Sequence, residues 1–300
     1  MKILLPTDGS EYSYGAARVV ARFDFSQADE ITVLHVIPGL PFPHSGGPYN
    51  AALMQFGEEL APRIIDATAG ILKGIRANVS TVVTTGHPAE AIIDVAAQSG
   101  PDLIVMGNRG MKAIGSLLLG SVTRAVAIKS PQSVLVVKPP QEKPDGPLKV
   151  LFATDGSECA RETERVLSMI PFHPDTSVTA VYVSLSTYMD IPDRFCPGLD
   201  ERLKEIMAGM KEAETKHAEK VLEQARARLM DRFHKVTVLI RNGDPSEQVL
   251  QAAQEKQADV VALGSRGMRG VSGMLGSVAR NVLAHAECSV LIYKRREETA

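Results

Sequence analysis

Short apolar runs alternate along the chain with stretches whose apolar residues recur at helical spacing. The runs "KILLPT", "EITVLHVIP", "NVSTVVTTG", "DLIVMG" and "SVLVVK", all within residues 2–138, predict five strands. Helices are predicted between them, over residues 11–23, 50–77, 88–100 and 121–129. Strands that are apolar nearly throughout and separated by helices indicate a parallel sheet covered on both faces.

This succession occurs twice. "KILLPTDGSEYSYGAARVV" at 2–20 returns as "KVLFATDGSECARETERVL" at 149–167, and "SPQSVLVVK" at 130–138 returns as "AECSVLIYK" at 286–294. The copies are separated by "KPPQEKPDGPLK", which is rich in proline and charge, as domain boundaries tend to be. We therefore predict two similar α/β domains, residues 1–140 and 147–300, each a five-stranded parallel open sheet with helices on both faces.

Composition narrows the function classes. The net charge of -2 does not suggest a basic surface that would bind nucleic acid. The three cysteines, Cys159, Cys196 and Cys288, form no disulfide framework. The apolar run at the start is too short for a signal peptide, and no stretch approaches the length of a membrane span. We expect a soluble cytoplasmic protein.

Each repeat carries a glycine-rich loop after its fourth strand, "GNRGMKAIGSLLLGS" at 107–121 and "GSRGMRGVSGMLGS" at 264–277. The dinucleotide fingerprint GxGxxG follows the first strand of its unit instead. "GSLLLGS" also lacks the lysine that a P-loop uses to neutralise the β- and γ-phosphates, which disfavours a P-loop ATPase. The loops therefore match neither familiar phosphate motif.

The loop residues nevertheless suit an anion. Gly107 and Gly110 allow positive φ angles and close approach of the backbone to a ligand. Gly120 and Ser121 open a helix whose free N–H groups and dipole favour negative charge. Further donors are offered by Ser121, Thr123 and Arg109. A glycine-rich turn without a ligand is the alternative.

The whole pattern resembles the universal stress protein family. The resemblance rests on "PTDGS" after the first strand, "LHV" in the second, and GxxGx9G[ST] at 107–121, and it covers both repeats. It implies an adenine nucleotide α-hydrolase-like, Rossmann-like fold and, in many members, bound ATP. It also implies that the last strands of the two repeats pair, so that one chain forms a pseudo-dimer, with a homodimer as a further possibility.

The resemblance assigns nucleotide contacts residue by residue. In repeat one these are Pro6, Thr7, Asp8, Val36, Met106, Gly107, Arg109, Gly110, Gly120, Ser121, Val122 and Thr123. In repeat two they are Thr154, Asp155, Val183, Leu263, Gly264, Arg266, Gly267, Gly276, Ser277 and Val278. Repeat two departs from the pattern because its loop is one residue shorter, and because Ala279 and Ala153 stand where repeat one has Thr123 and Pro6. Whether the second loop still closes on a triphosphate is left open.

The resemblance implies ATP binding coupled to stress resistance or signalling, with Mg²⁺ held mainly through the phosphates. No general base can be assigned from the sequence, so we expect at most slow hydrolysis and no catalytic or metal-ligating residues. A nucleotide-free interaction scaffold is one alternative. An adenylating enzyme such as an ATP pyrophosphatase is another, disfavoured because "TDGSE" is not the Ser-Gly-Gly loop of that class.

Other features have local interpretations. His35 is expected to be a packed, hydrogen-bonded side chain, His87 a helix cap, and His217 exposed. Asp244 is predicted to cap a helix, with Pro245 in its first turn. The loop 38–50, with Phe42, is a mobile flap or plain linker.

A long charged helix is predicted over residues 200–232, with one apolar face on the sheet and a solvated or partner-binding face opposite. Its apolar stripe is Leu203, Ile206, Met210, Ala218, Val221, Leu222, Ala225 and Leu229.

Overall fold

The fold was analysed in a computed structural model, which describes residues 1–39, 48–110, 119–138, 146–184, 201–267 and 275–294. Repeat one comprises β1 (Lys2–Thr7), α1 (Glu11–Ala21), β2 (Glu30–Pro38), α2 (Pro48–Ile71), β3 (Asn78–Gly86), α3 (Pro88–Ser99), β4 (Leu103–Gly107), α4 (Ser121–Lys129) and β5 (Ser133–Val137). Repeat two comprises β6 (Lys149–Ala153), α5 (Glu158–Met169), β7 (Ser177–Ser184), α6 (Glu201–Met230), β8 (Lys235–Asn242), α7 (Pro245–Glu255), β9 (Val260–Gly264), α8 (Ser277–His285) and β10 (Ser289–Tyr293).

The strands of both repeats form one ten-stranded sheet in the order β3-β2-β1-β4-β5-β10-β9-β6-β7-β8. All pairs within a repeat are parallel, and β5 pairs with β10 antiparallel, with Leu135 opposite Leu291. The expected contact between the two last strands is therefore confirmed. Strand order reverses between β1 and β4, and between β6 and β9, which is where open α/β sheets bind ligands.

Helices cover both faces of the sheet, and each face has one apolar core that runs through both repeats. One core joins β-strand residues such as Leu5 to α1, α5 and α6, and the other joins residues such as Leu4 to α3, α4, α7 and α8. The first core crosses between the repeats at Phe23 and Phe172, whose rings meet edge to face at 5.1 Å. Both cores are therefore built from side chains of both repeats.

Two lysines reinforce the junction by reaching across it. The Lys294 ammonium donates to the carbonyl of Ile128, in the last turn of α4, at 2.6 Å, and the Lys138 ammonium donates to the carbonyl of Ala286 at the end of α8. A cation at a helix carboxyl end is favoured by the helix dipole. Burial opposes the charged form, and lowers the pKa of Lys138 and that of Lys294, the latter to about 8.

The long helix α6 departs from the predicted packing. Its carboxyl half buries the expected stripe from Ala218 to Leu229, but Leu203, Ile206 and Met210 are about half exposed. The apolar spacing continues beyond the part of the helix that packs on β7 and β8. The expectation that the whole stripe packs on the sheet is therefore wrong for the amino half.

The local predictions have mixed outcomes. Asp244 caps α7 by accepting from the N–H of Glu247 at 3.0 Å, and His217 is exposed, as expected. His87 stands at the N-cap position of α3, but its side chain makes no capping hydrogen bond there. Within the described ranges, no helix is long and apolar enough to span a membrane. Cys196 and most of the linker and of the 38–50 loop, with Phe42, lie outside those ranges.

Candidate functional site

The carboxyl end of β1 carries the first predicted contact, Asp8. Its Oδ1 accepts hydrogen bonds from the backbone N–H of Ser10 at 3.0 Å and from the Ser10 hydroxyl at 2.6 Å. Ser10 is also the N-cap of α1, where its Oγ accepts from the N–H of Ser13. The tight turn is possible because Gly9 adopts a φ of +79°. The start of α1 therefore fixes the carboxylate in one orientation.

The glycine loop approaches that carboxylate from the other side. A Cβ added to Gly110 would lie 2.5 Å from Oδ2 of Asp8, and a Cβ added to Gly267 would lie 2.8 Å from Oδ2 of Asp155. Asp155 is held like Asp8, since its Oδ1 accepts from the N–H of Ser157 at 3.0 Å. The two repeats thus build the same contact between loop and carboxylate, and it leaves no room for a side chain.

The expected positive φ at the loop glycines is absent, because neither Gly107 nor Gly110 is among the glycines with positive φ. Gly107 is required for space: an added Cβ would lie 2.6 Å from the backbone carbonyl of Tyr12 in α1. At Gly264 an added Cβ would meet the Cys159 sulfur of α5 at 2.7 Å. These glycines allow helix and strand to pack closely, which a local sequence pattern does not reveal.

Both loops are closed at their base in the same way. The N–H of Gly120 donates to the carbonyl of Asn108 at 2.8 Å, and the N–H of Gly276 donates to the carbonyl of Ser265 at 2.7 Å. The middles of the loops, residues 111–118 and 268–274, lie outside the described residues. The missing residue of the second loop therefore does not change how that loop begins and ends.

The helices that follow the loops, α4 and α8, begin without a capping side chain or an acidic residue among the residues that the structure describes. Their N-caps, Gly120 and Gly276, provide no side-chain hydrogen bond, and neither helix has an acidic residue in its first turn. By contrast, α1, α3, α5 and α7 each have a glutamate in the first turn, and all of these except α3 have a side-chain cap. Ser121 and Ser277, the first helical residues, are exposed. The free N–H groups of α4 and α8 are suited to bind an anion.

Two threonines predicted as nucleotide contacts use their hydroxyl groups in hydrogen bonds within the protein. The Thr123 hydroxyl is buried and donates to the carbonyl of Gly107 at 2.8 Å. Thr7 is buried too, with its Oγ1 2.9 Å from that of Thr68. Thr123 therefore ties the loop to α4, and its replacement by Ala279 in repeat two removes a structural tie of this kind.

His35 has the structural role that its position predicts. It is buried, and its Nδ1 lies 2.8 Å from the carbonyl of Thr7. Because a carbonyl only accepts, Nδ1 carries the proton. The ring thus fixes the backbone one residue before Asp8.

Repeat two places a different group at the matching position, which sequence reasoning missed. Tyr182 stands where repeat one has His35, and its hydroxyl donates to Oε1 of Glu214 at 3.2 Å. Ser184 donates to the same oxygen at 3.0 Å. Burial first, and then Glu214, raise the pKa of Tyr182 to about 12. The change from histidine to tyrosine between the repeats is visible in the sequence and could have indicated this difference.

Arg109 and Asn108 bring polar groups to the first loop. Arg109 is buried, with its guanidinium carbon 6.0 Å from the centre of the Tyr12 ring. Asn108 is also buried, and its side-chain oxygen has no hydrogen-bond partner in the part of the chain that the structure describes. A buried acceptor of this kind fits a donor such as a ribose hydroxyl.

The remaining predicted contacts lie at or just after the carboxyl ends of the strands of their own repeat, or at the start of α4 or α8, and they differ in exposure. Buried are Pro6, Val36, Met106, Thr154 and Leu263, and partly exposed are Val122, Val183, Arg266 and Val278. No group of three or more histidine, cysteine or acidic side chains in the described segments could hold a metal ion.

Comparison with known proteins identifies the family. The model of the universal stress protein family matches residues 1–138 and again residues 148–294. The chain belongs to the universal stress protein family. A universal stress protein of Mycolicibacterium smegmatis is 29% identical over 303 residues, covering 98% of this chain and 97% of the relative. One of Methanocaldococcus jannaschii is 32% identical over 154 residues, covering 46% of this chain and 94% of the relative.

The solved structures agree on the tandem arrangement. The crystal structure of a universal stress protein from Archaeoglobus fulgidus aligns with a TM-score of 0.61 and 25% identity, covering 99% of this chain and 98% of that one. Relatives that align with nearly the whole of this chain are therefore found both by sequence and by structure. Family membership supports a stress-related role for this chain.

Proposed function

We propose that the chain is an ATP-binding universal stress protein that acts in stress resistance or signalling as a nucleotide-dependent regulator. One observation carries the proposal: α4 and α8 are the helices that follow the glycine loops, and both begin with no side-chain cap and no first-turn acid. An anion at such a helix start is stabilised by the free N–H groups and by the dipole. ATP fits because the family resemblance implies an adenine nucleotide at this edge.

The residues present fit the parts of a nucleotide. Ser121 and the N–H groups that follow it would hold the phosphates, with Ser277 in the same role in repeat two. Asp8 and Asp155 are fixed acceptors that suit ribose hydroxyls or a base amino group. The bound nucleotide would supply the negative charge that these helix starts lack, and Mg²⁺ would accompany its phosphates.

Regulation is favoured over rapid catalysis. The Asp8 carboxylate already accepts two hydrogen bonds from Ser10, which hold it in one orientation and suit a positioning role. We therefore propose at most slow hydrolysis. The start of α1 also argues against an adenylating enzyme, since Ser10 and Glu11 already occupy the helix start that would have to accept phosphate.

An interaction scaffold that works without nucleotide is the second candidate, favoured by the exposed apolar residues Leu203, Ile206 and Met210 on α6. Calorimetric titration of the purified, nucleotide-stripped chain with ATP separates the two. Saturable binding that is weakened by Gly110→Ala supports the ATP proposal. No binding by the folded chain refutes that proposal and leaves the scaffold.

A further inference from the structure

The end of repeat two at which its strands begin, opposite the glycine loop of that repeat, holds a concave basic cluster. A cavity of about 250 Å³ is lined there by Lys149 at the start of β6, Lys235 at the start of β8 and Lys256 at the end of α7. Three hydroxyl side chains share the lining: Ser177, Thr179 and Thr237. No acidic residue is among the residues that line this cavity.

Strand register explains how the lysines converge. Lys149 pairs with Ser177, and Ser177 pairs with Lys235, so the two lysines flank the serine on one face of three adjacent parallel strands. Two strand spacings separate their backbones by about 10 Å, which long lysine side chains span with ease. The Thr179 and Thr237 hydroxyls form the next row, 3.0 Å apart.

Repeat one allows a direct comparison, because one of the matching positions there is a glutamate, whose carboxylate is negatively charged. Glu30 stands between Lys2 and Asn78, and its carboxylate lies 3.3 Å from the Lys2 ammonium. Ser177 replaces that glutamate in repeat two, and Lys235 replaces the asparagine. Lys256 likewise takes the place of Ser99. The four matching positions therefore carry no net charge in repeat one and three positive charges in repeat two.

The charges of this cluster are not balanced locally. Neither Lys235 nor Lys256 forms a salt bridge with any residue that the structure describes, and the Lys149 ammonium donates to the neutral Oε1 of Gln257 at 3.3 Å. Asp259 accepts from the Lys149 backbone N–H at 2.8 Å, as the matching aspartate does in repeat one, so it does not account for the difference. Like charges gathered on one sheet face are unfavourable unless an anion joins them.

We propose that this cavity is an anion site of repeat two that binds a phosphate group, either inorganic phosphate or a phosphomonoester. The three ammonium groups supply charge-assisted hydrogen bonds, and the hydroxyls of Ser177 and the threonine pair complete the donor set. The bound phosphate takes the place that the Glu30 carboxylate occupies in repeat one. The site lies at the opposite end of the repeat-two strands from the glycine loop of that repeat, and none of the residues that line it is a proposed nucleotide contact, so it is separate from the proposed ATP sites.

The test uses the two repeats as each other's control. Isothermal titration with inorganic phosphate, and separately with glycerol 3-phosphate, is carried out at constant ionic strength on the wild-type chain and on Ser177→Glu. The variant restores the built-in carboxylate, and we expect it to weaken one site by about ten- to hundredfold, the value of one charged hydrogen bond. The double variant Lys235→Asn, Lys256→Ser changes exposed residues alone and is expected to lose the same site.

The converse variant, Glu30→Ser with Asn78→Lys, is expected to add a phosphate site to repeat one. Binding of both probes indicates a phosphomonoester site, and binding of inorganic phosphate alone indicates a site for the free ion. The proposal is overturned if Ser177→Glu and the lysine double variant both keep the affinity and stoichiometry of the wild type for both probes. ATP stoichiometry is measured on the same variants and is expected to stay unchanged, which separates this proposal from the ATP proposal.

Discussion

Replacing Gly110 with alanine tests the geometry of the first nucleotide site directly. The new Cβ would lie 2.5 Å from Oδ2 of Asp8, whereas ordinary contact begins at 3.4 Å. Asp8 and the loop would have to separate by about 1 Å. The carboxylate is anchored by Ser10, so the movement would break its orientation or push the loop away from the start of α4.

The expected loss follows from the interactions at stake. A hydrogen bond to a charged group contributes about 1.5–3 kcal/mol, so displacing Asp8 should weaken ATP binding at site one by about ten- to hundredfold. Gly267→Ala should weaken site two less, because its Cβ would lie 2.8 Å from Asp155. Calorimetric titration of each single variant checks both affinity and stoichiometry.

Gly209→Ala is the matched control. Gly209 lies in α6 with no heavy atom within 4 Å of an added Cβ, so alanine there should leave ATP binding unchanged and slightly stabilise the helix. If Gly110→Ala is folded by circular dichroism and binds ATP with wild-type affinity and stoichiometry, the close contact between Gly110 and Asp8 is not needed for ATP binding.

Two further predictions concern stability. Arg228→Ile leaves the buried carboxylate of Glu164 without its partner and should lower the free energy of unfolding, measured in urea, by about 3 kcal/mol. Adding Glu164→Ala to that variant installs the Ala17 and Ile71 pair of repeat one and should recover most of the loss. An equal loss of stability in both variants would contradict this. Burial lowers the pKa of Lys294 from 10.5 to about 8. Between pH 8 and pH 10.5 the unfolded chain therefore binds more protons than the folded chain, so the free energy of unfolding of the wild type should rise with pH relative to Lys294→Met. Parallel pH profiles of the two proteins would argue against the buried ammonium.

Sequence periodicity was sufficient for much of the fold. The strands and the helices between them follow from apolar spacing and from the repeat, because both repeats must bury the same faces, whereas the pairing of the last strands was implied by the family resemblance. The cap at Asp244 follows from local chemistry alone. Non-local contacts were not accessible: Gly107 is required by the backbone of Tyr12, which lies on a different element, and no local pattern records that distance.

The nucleotide contacts stay a prediction, and the structure shows only where the predicted residues lie. Asp8 and the two helix starts are where the family resemblance implies. The Thr123 hydroxyl, however, donates to the carbonyl of Gly107, a contact between α4 and the end of β4 that the local sequence does not show. The amino half of α6 was misjudged for a related reason: its apolar spacing continues where the sheet no longer provides a packing surface.

We propose that the starts of α4 and α8 each bind the phosphates of one ATP. The most direct measurement is the stoichiometry of ATP binding to the nucleotide-stripped wild-type chain by isothermal titration calorimetry. Because both loops are closed at their base by the same hydrogen bond, at 2.8 and 2.7 Å, the account predicts two ATP per chain. A folded chain that binds one ATP, or none, would contradict this expectation.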